Sequence, residues 1–225
     1  MKNKNYYEEQ LNSQMLFQVY DTKLPRTKQY LQEEINRVKK DLTGDETLLE
    51  IGCGYGRILK ELANSAKELT GIDISPNSIK FAEEYLKDFN NIKLIAADFN
   101  DIVHGEIYDI VVLIQNGLSA VKGNPSNTVK KCLDLLKKGG RAYISTYSPN
   151  FWDERLKWFE EQSDKKLLGK IDYEKTKDGV IVCEDGFKAI TFSEDELRRL
   201  GDETGYNYAI EEVDNSSLFL IINKQ

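Results

Sequence analysis

Glu50, Gly52, Gly54 and Gly56 alternate through the stretch LLEIGCGYGRIL, Leu48–Leu59. Glycine loses the most conformational freedom on folding and is poor inside strands and helices. Three glycines in five residues, set between two apolar runs, mark a backbone that turns sharply or that a ligand approaches closely. The N–H groups at the start of a following helix favour negative charge there. Dinucleotide folds use G-x-G-x-x-G or G-x-G-x-x-A. Counted from Gly52, that pattern needs a small residue at position 57, where Arg57 stands. The pattern present is E-x-G-x-G-x-G. Glu50 would repel a pyrophosphate and suit a ligand that carries an ammonium group.

The loop needs a strand before it and a helix after it. TLLEI reads as a short buried strand and RILKELANSA as an amphipathic helix with Ile58, Leu59 and Leu62 on one face. The alternation continues through LTGIDI, SPNSIKFAEEYLKDF, IKLIAAD, YDIVVLI, NTVKKCLDLLKKGG and RAYISTY. Ser75 and Pro76 are an N-cap and a first helical residue. YDIVVLI is almost wholly apolar, as a strand covered on both faces should be. Strands separated by helices predict an α/β fold with a mostly parallel sheet and helices on both faces. Ligands in such sheets bind at the carboxyl ends of the strands. Before this core, Leu11, Met15, Leu16 and Val19 recur at helical spacing, and a second helix is expected from about Thr27 to Leu42 after Pro25. After it come an amphipathic helix, FWDERLKWFEEQ, and short strands with hairpin turns at Asp178-Gly179 and Asp185-Gly186. A helix with a Ser193/Glu196 capping box and a closing hairpin finish the chain.

Glu50-Ile51-Gly52-Cys53-Gly54-Tyr55-Gly56 resembles the first motif of class I S-adenosylmethionine-dependent methyltransferases, and the resemblance runs over roughly Thr43 to Tyr147. It implies a Rossmann-like, seven-stranded, mostly parallel sheet whose last strand is antiparallel. It implies S-adenosyl-L-methionine as cofactor and S-adenosyl-L-homocysteine as product. Glu50, Gly52, Cys53, Gly54 and Gly56 then face the methionine part, with Glu50 at its ammonium. Asp73, 17 residues beyond Gly56 and followed by Ile74, is placed to accept from both ribose hydroxyls. Asp98 would receive the adenine amino group and Phe99 would hold the ring. Gln115 and Asn116 end the fourth strand and face the cofactor. No NPPY-type motif follows that strand, which disfavours a nucleic-acid base as acceptor.

The resemblance implies methyl transfer to N or O of a small molecule by in-line displacement. A protein or RNA acceptor, a non-catalytic cofactor-binding subunit and an NAD(P)-dependent oxidoreductase are the alternatives. The chemistry needs positioning more than a fixed catalytic motif, so no catalytic residue is assigned. Tyr20 and Arg26 in the N-terminal segment, and Tyr147, Phe151 and Trp152 after the fifth strand, are the acceptor-side candidates. The expected layout is a helical cap at 1–42, a cofactor-binding core at 43–148, a helix and β-hairpin insert at 149–192 that acts as lid or dimer arm, and completion of the sheet at 193–225.

A net charge of −7 and the lack of a dense Lys/Arg run argue against nucleic acid as partner. Arg37–Lys40 and Lys137–Gly140 are short basic runs expected at helix C-termini. No apolar run approaches a membrane span, and the expectation is a cytoplasmic monomer or homodimer. Cys53, Cys132 and Cys183 are far apart, and His104 is the only histidine, so no metal site is expected. His104 reads as a surface or structural residue in the loop before the fourth strand.

Overall fold

The computed structural model describes residues 13–102, 105 and 107–225; Leu11 and His104 lie outside the described residues. Among the described residues two helices come first, α1 (Ser13–Tyr20) and α2 (Pro25–Lys39). Pro25 supplies the first turn of α2, where a missing N–H costs nothing. Tyr30, Leu31, Glu34, Ile35 and Val38 form the buried stripe of α2. The core then runs β1 (Thr47–Ile51), α3 (Arg57–Leu62), β2 (Glu68–Asp73), α4 (Pro76–Tyr85), β3 (Ile92–Ala96), β4 (Tyr108–Leu113), α5 (Gly117–Ala120), α6 (Pro125–Leu135) and β5 (Leu136–Tyr147). After β5 come α7 (Trp152–Asp164) and a small hairpin, β6 (Ile181–Val182) and β7 (Lys188–Ala189). The chain closes with α8 (Glu194–Asp202), β8 (Asn207–Val213) and β9 (Ser217–Asn223).

Seven strands form one sheet in the order β3-β2-β1-β4-β5-β9-β8. The pairs among β1 to β5 are parallel, and β9 runs antiparallel to both β5 and β8. Strand order reverses between β1 and β4, which opens a crevice at their carboxyl ends. Alternate residues of each strand serve opposite faces. Leu49, Val111, Leu113 and Ile144 pack with α6 and α8, whereas Leu48, Ile110 and Val112 pack with α2, α3 and α4. Ser75 caps α4 as expected, and Ser193 and Glu196 make the capping box of α8.

A third cluster covers the carboxyl end of β5. Val19, Tyr30, Tyr147, Phe151, Trp158 and Phe187 belong to it, so cap, sheet and insert share one apolar contact. The end of α1 is tied to α7: Glu161 accepts from Thr22 Oγ1 at 2.5 Å and from Lys23 N at 2.8 Å, and Trp158 Nε1 donates to Val19 O at 3.2 Å.

One expectation is corrected. The helix before the fifth strand does not run to Gly140; α6 stops at Leu135 and the strand begins at Leu136. Lys137 Nζ does not cap a helix but reaches Asp109 Oδ2 of β4 at 2.9 Å, and Gly139, at φ 82°, donates its N–H to Lys224 O at 2.7 Å. Leu136 pairs with Tyr108 of β4, and Gly139 and Gly140 bond the backbone of Lys224, before the helical pattern is exhausted. Gly71 on β2 has no room for a side chain. A Cβ there would lie 2.5 Å from Leu59 Cδ1 and 2.8 Å from Cys53 Sγ. Gly71→Ala is expected to lower stability by about 1–3 kcal/mol, as overpacking does; denaturant titration checks it, and an unchanged midpoint would contradict the packing.

Candidate active site

The glycine loop follows β1 directly. Gly52, Gly54 and Gly56 take φ of 73°, 54° and 86°, a region that residues with a Cβ rarely adopt. Gly52 and Cys53 donate their N–H groups to Ile72 O at 2.8 and 3.0 Å, which fastens the loop to β2. A Cβ on Gly54 would come within 2.5 Å of Leu16 Cδ2, so α1 lies directly on the loop. Asp73, at the end of β2, accepts from Gly54 N at 2.9 Å and Ser75 N at 2.8 Å. Burial raises its pKa above the usual carboxylate value, and the two N–H donors work against that.

Glu50 is 3% exposed, and its Oε2 has no hydrogen-bond partner among the described residues. Burial pushes its pKa up to about 8, against the pull of the Arg57 charge. Arg57 opens α3 and lays its guanidinium 4.9 Å from the centre of the Tyr20 ring. Its Nη2 is also buried and without a hydrogen-bond partner among the described residues. A carboxyl and a guanidinium, each with an unsatisfied atom, thus flank the loop. A buried unsatisfied polar atom costs about 1–3 kcal/mol, which a ligand can recover.

Gln115 and Asn116 follow β4 at φ 57° and 62°. The Asn116 side chain is fully engaged by the scaffold: Nδ2 donates to Ser119 Oγ and to Ile190 O, both at 2.8 Å, and Oδ1 accepts from Thr146 Oγ1 at 2.9 Å. Gln115 N donates to Ser145 Oγ at 2.8 Å, and Ser145 Oγ donates to Glu34 Oε1 at 2.7 Å. Gln115 Nε2 is buried with no partner among the described residues. Glu34 is wholly buried, and burial raises its pKa to about 7. Because the folded-state pKa lies above the unfolded one, stability is full below about pH 4.5 and is lost as pH rises through 7. Glu34→Gln is therefore expected to leave stability near wild type at pH 4.5 and raise it by up to about 3 kcal/mol at pH 8. Denaturant midpoints at the two pH values test this; an equal shift at both would refute it.

Every cofactor-side residue suggested by the sequence except Gly56 lines one cavity at the carboxyl edge of β1, β2 and β4, and Tyr20 and Tyr147 line it as well. Asp98 also caps a short turn, accepting from Asn100 N at 2.8 Å. Arg26, Phe151 and Trp152 do not line it. Arg26 is ion-paired with Asp214 in the β8–β9 turn, and Phe151 is buried under Tyr30, with ring centres 4.9 Å apart. The wall the sequence missed comes from Trp158, Phe159 and Gln162 of α7 and from Phe187 and Ala189 of the insert. Among the described residues, no group of three or more metal-binding side chains forms, and no helix is long and apolar enough to cross a membrane.

The sheet order, the single antiparallel strand and the glycine loop after β1 define a Rossmann-like methyltransferase fold. The family described as "Methyltransferase domain" matches residues 42–205. The chain belongs to that family. Among curated proteins, it is 30% identical over 107 residues to a ubiquinone biosynthesis O-methyltransferase of Azoarcus sp. strain BH72, covering 46% of this chain and 45% of that protein. It is 31% identical over 119 residues to a malonyl-[acyl-carrier protein] O-methyltransferase of Anoxybacillus flavithermus, covering 52% and 45%. The matches therefore span about half the length of these relatives. Among solved structures, N-methyltransferase NodS of Bradyrhizobium japonicum WM9, in complex with S-adenosyl-L-homocysteine, superposes with a TM-score of 0.63 at 17% identity, covering 98% of this chain and 99% of that one.

Proposed function

We propose that this protein is an S-adenosylmethionine-dependent methyltransferase acting on N or O of a small molecule. The observation that carries the reading is the pair of unsatisfied atoms, Glu50 Oε2 of a carboxyl and Arg57 Nη2 of a guanidinium, buried beside the glycine loop. A zwitterionic amino-acid group fits that pair: Glu50 would hold its ammonium and Arg57 its carboxylate, with Tyr20 stacked behind Arg57. Asp73 keeps lone pairs for ribose hydroxyls beyond the two N–H bonds it accepts. Phe99, which the family resemblance assigns to the adenine ring, is buried. When bound, the cofactor supplies a methyl on a sulfonium; the S–C electron pair stays on sulfur, and the acceptor gains the methyl and loses a proton.

The chain's own task is to orient the acceptor and keep water out. The α1 helix over Gly54 and the α7 wall do this, so that residues 13–42 serve as a cap and 149–192 as a lid over the core. The relatives carry O-methyltransferase names and NodS an N-methyltransferase one, so kinship leaves the acceptor atom open.

Calorimetry tests the reading. S-adenosylhomocysteine is expected to bind, and 5′-methylthioadenosine, which lacks the amino-acid group, to bind about 10–100-fold more weakly, the value of one or two charged hydrogen bonds. Arg57→Met should shrink that gap. Binding of NADH instead would establish an oxidoreductase. Transfer of labelled methyl into the small-molecule fraction of a metabolite-supplemented lysate then supports the acceptor class; label only in protein or RNA would replace it.

A further inference from the structure

Gln115 and Asn116 leave β4 side by side, and the scaffold uses their side chains differently. Both hold a positive φ, 57° and 62°, which costs energy in any residue with a Cβ. The Asn116 amide pins the turn in place. Its Nδ2 donates to Ile190 O at 2.8 Å, next to Ala189 of the cavity wall, and its Oδ1 accepts from Thr146 Oγ1 at 2.9 Å, next to Tyr147. Gln115 is fastened through its backbone: its N–H donates to Ser145 Oγ at 2.8 Å, two residues before Tyr147 on the same face of β5. Ser145 is wholly buried and gives its own proton to Glu34 Oε1 at 2.7 Å, which leaves its lone pairs for the Gln115 N–H. The turn is thus fixed between the insert and Tyr147, beside the rings that wall the cavity.

The Gln115 side chain is not used in this way. Gln115 lines the cavity, yet its Nε2 is shut off from solvent and has no hydrogen-bond partner among the described residues. A buried donor left unpaired costs about as much as its lost hydration, and here a strained backbone keeps it in that state. The fold gains nothing from the arrangement, whereas a ligand would. With the cofactor held as proposed above, its polar groups already have partners: the ammonium in Glu50, the carboxylate in Arg57, the ribose in Asp73 and the adenine amino group in Asp98. The sulfonium is cationic and a poor partner for an N–H. The Gln115 donor is left over for the molecule that takes the methyl.

Resting on the methyl-transfer reading, we infer that Gln115 is a specificity residue of the acceptor pocket, that its Nε2 donates to a carbonyl-type oxygen of the acceptor, and that Ser145 is the positioning residue that holds Gln115 in its strained conformation. The oxygen belongs to a ketone, amide, ester or carboxylate, on a molecule whose apolar body packs against Tyr147 and Trp158. A hydroxyl suits the place less well. It brings a proton that needs an acceptor of its own, and those beside the turn are engaged, Asn116 Oδ1 by Thr146 and Ser145 Oγ by the Gln115 N–H. The held oxygen is an anchor and not the methylated atom. A lone pair given to an N–H is a weaker nucleophile, so the methyl goes to another atom of the same molecule. A molecule of the same shape that lacks the oxygen leaves Nε2 orphaned and is rejected.

Ligand-observed NMR on the S-adenosylhomocysteine complex tests this with three probes: acetophenone, benzoate, and ethylbenzene, which has the shape of acetophenone without the oxygen. At least one of the two carbonyl probes is expected to bind about tenfold more tightly than ethylbenzene, and the tighter of the two tells whether the oxygen is neutral or a carboxylate. Ethylbenzene binding as tightly as both, or no probe binding, overturns the inference. Failure of S-adenosylhomocysteine itself to bind would instead remove the methyl-transfer reading. Gln115→Met keeps the length of the side chain and removes the donor. It should abolish the preference for the carbonyl probe and leave S-adenosylhomocysteine affinity, measured by calorimetry, unchanged. Weakened S-adenosylhomocysteine binding with the preference intact would give Gln115 to the cofactor and refute the assignment. Ser145→Ala should reduce the same preference, a ratio that a purely structural role would not move, and an unaltered ratio refutes the positioning role. Should Ser145→Ala fail to fold, Gln115→Met decides alone.

Discussion

Asp73→Ala is expected to weaken S-adenosylhomocysteine binding by about 10–100-fold, and also to destabilise the protein without ligand by about 2–4 kcal/mol, as charged hydrogen bonds are lost and buried donors orphaned. The two effects share a cause. The carboxylate is a hinge pin: one oxygen takes the Gly54 N–H from the glycine loop, the other takes the Ser75 N–H at the start of α4. Removing it leaves both donors unpartnered where water enters poorly, so the loop loses one of its anchors on β2 at the same time as the ribose loses its acceptors. Asp73→Asn separates the contributions. Its one remaining oxygen can still serve one N–H, while its amide nitrogen faces the other donor; it should recover part of the stability and less of the binding. Calorimetry for affinity and denaturant titration of the free protein measure the two effects independently. Wild-type affinity in Asp73→Ala would displace the ribose from this position, whatever the stability did.

The glycine loop was legible in the sequence because its constraint is local. Positive φ at alternating positions calls for glycine, and an acid at the strand end before it is visible without any fold. Ser75-Pro76 and the Ser193/Glu196 box were legible for the same reason. The acceptor wall was not. Trp158 and Phe187 lie far along the chain from Tyr20, and helical spacing in FWDERLKWFEEQ shows an apolar stripe without saying which cavity it meets. Arg26 looked available beside the cap, but its partner, Asp214, lies in a turn 188 residues away. Glu34 does carry a signal in the sequence. In QEEIN, Glu33 and Glu34 are chemically alike, and only helical phase distinguishes them. Glu34 falls in the stripe with Tyr30, Leu31 and Val38, so a charged residue stood on an apolar face. The strand start at Leu136 was hidden because Lys-Lys-Gly-Gly is an ordinary helix ending, and only Tyr108 of β4 and the distant Lys224 decide otherwise.

The affinity for S-adenosylhomocysteine should climb steeply with pH, approaching tenfold per unit between about pH 6 and pH 8. Glu50 is the reason. In the free protein, burial holds its pKa at about 8, so below that value it carries a proton. An ammonium group pairs with the carboxylate, not the acid, so binding must expel that proton, and each unit below 8 weakens the apparent affinity by the same factor. 5′-Methylthioadenosine shares the ribose and adenine contacts, including any titration of Asp73, but brings no ammonium; its affinity should vary far less. The difference between the two slopes therefore isolates Glu50. Calorimetry at pH 7 in two buffers of unlike ionisation enthalpy should show release of nearly one proton with S-adenosylhomocysteine and much less with the analogue. Glu50→Gln should flatten the first slope and reduce affinity at pH 8 by about 10–100-fold. Parallel slopes for the two ligands would place the ammonium away from Glu50. Folding shows the other side of the same linkage. With a folded-state pKa above the unfolded one, Glu50 contributes stability that is full below about pH 4.5 and is lost as pH rises through 8. The free protein thus becomes less stable over the same pH range in which it gains affinity. A carboxyl that burdens the empty fold and is relieved by an ammonium is better explained by the ligand than by the fold.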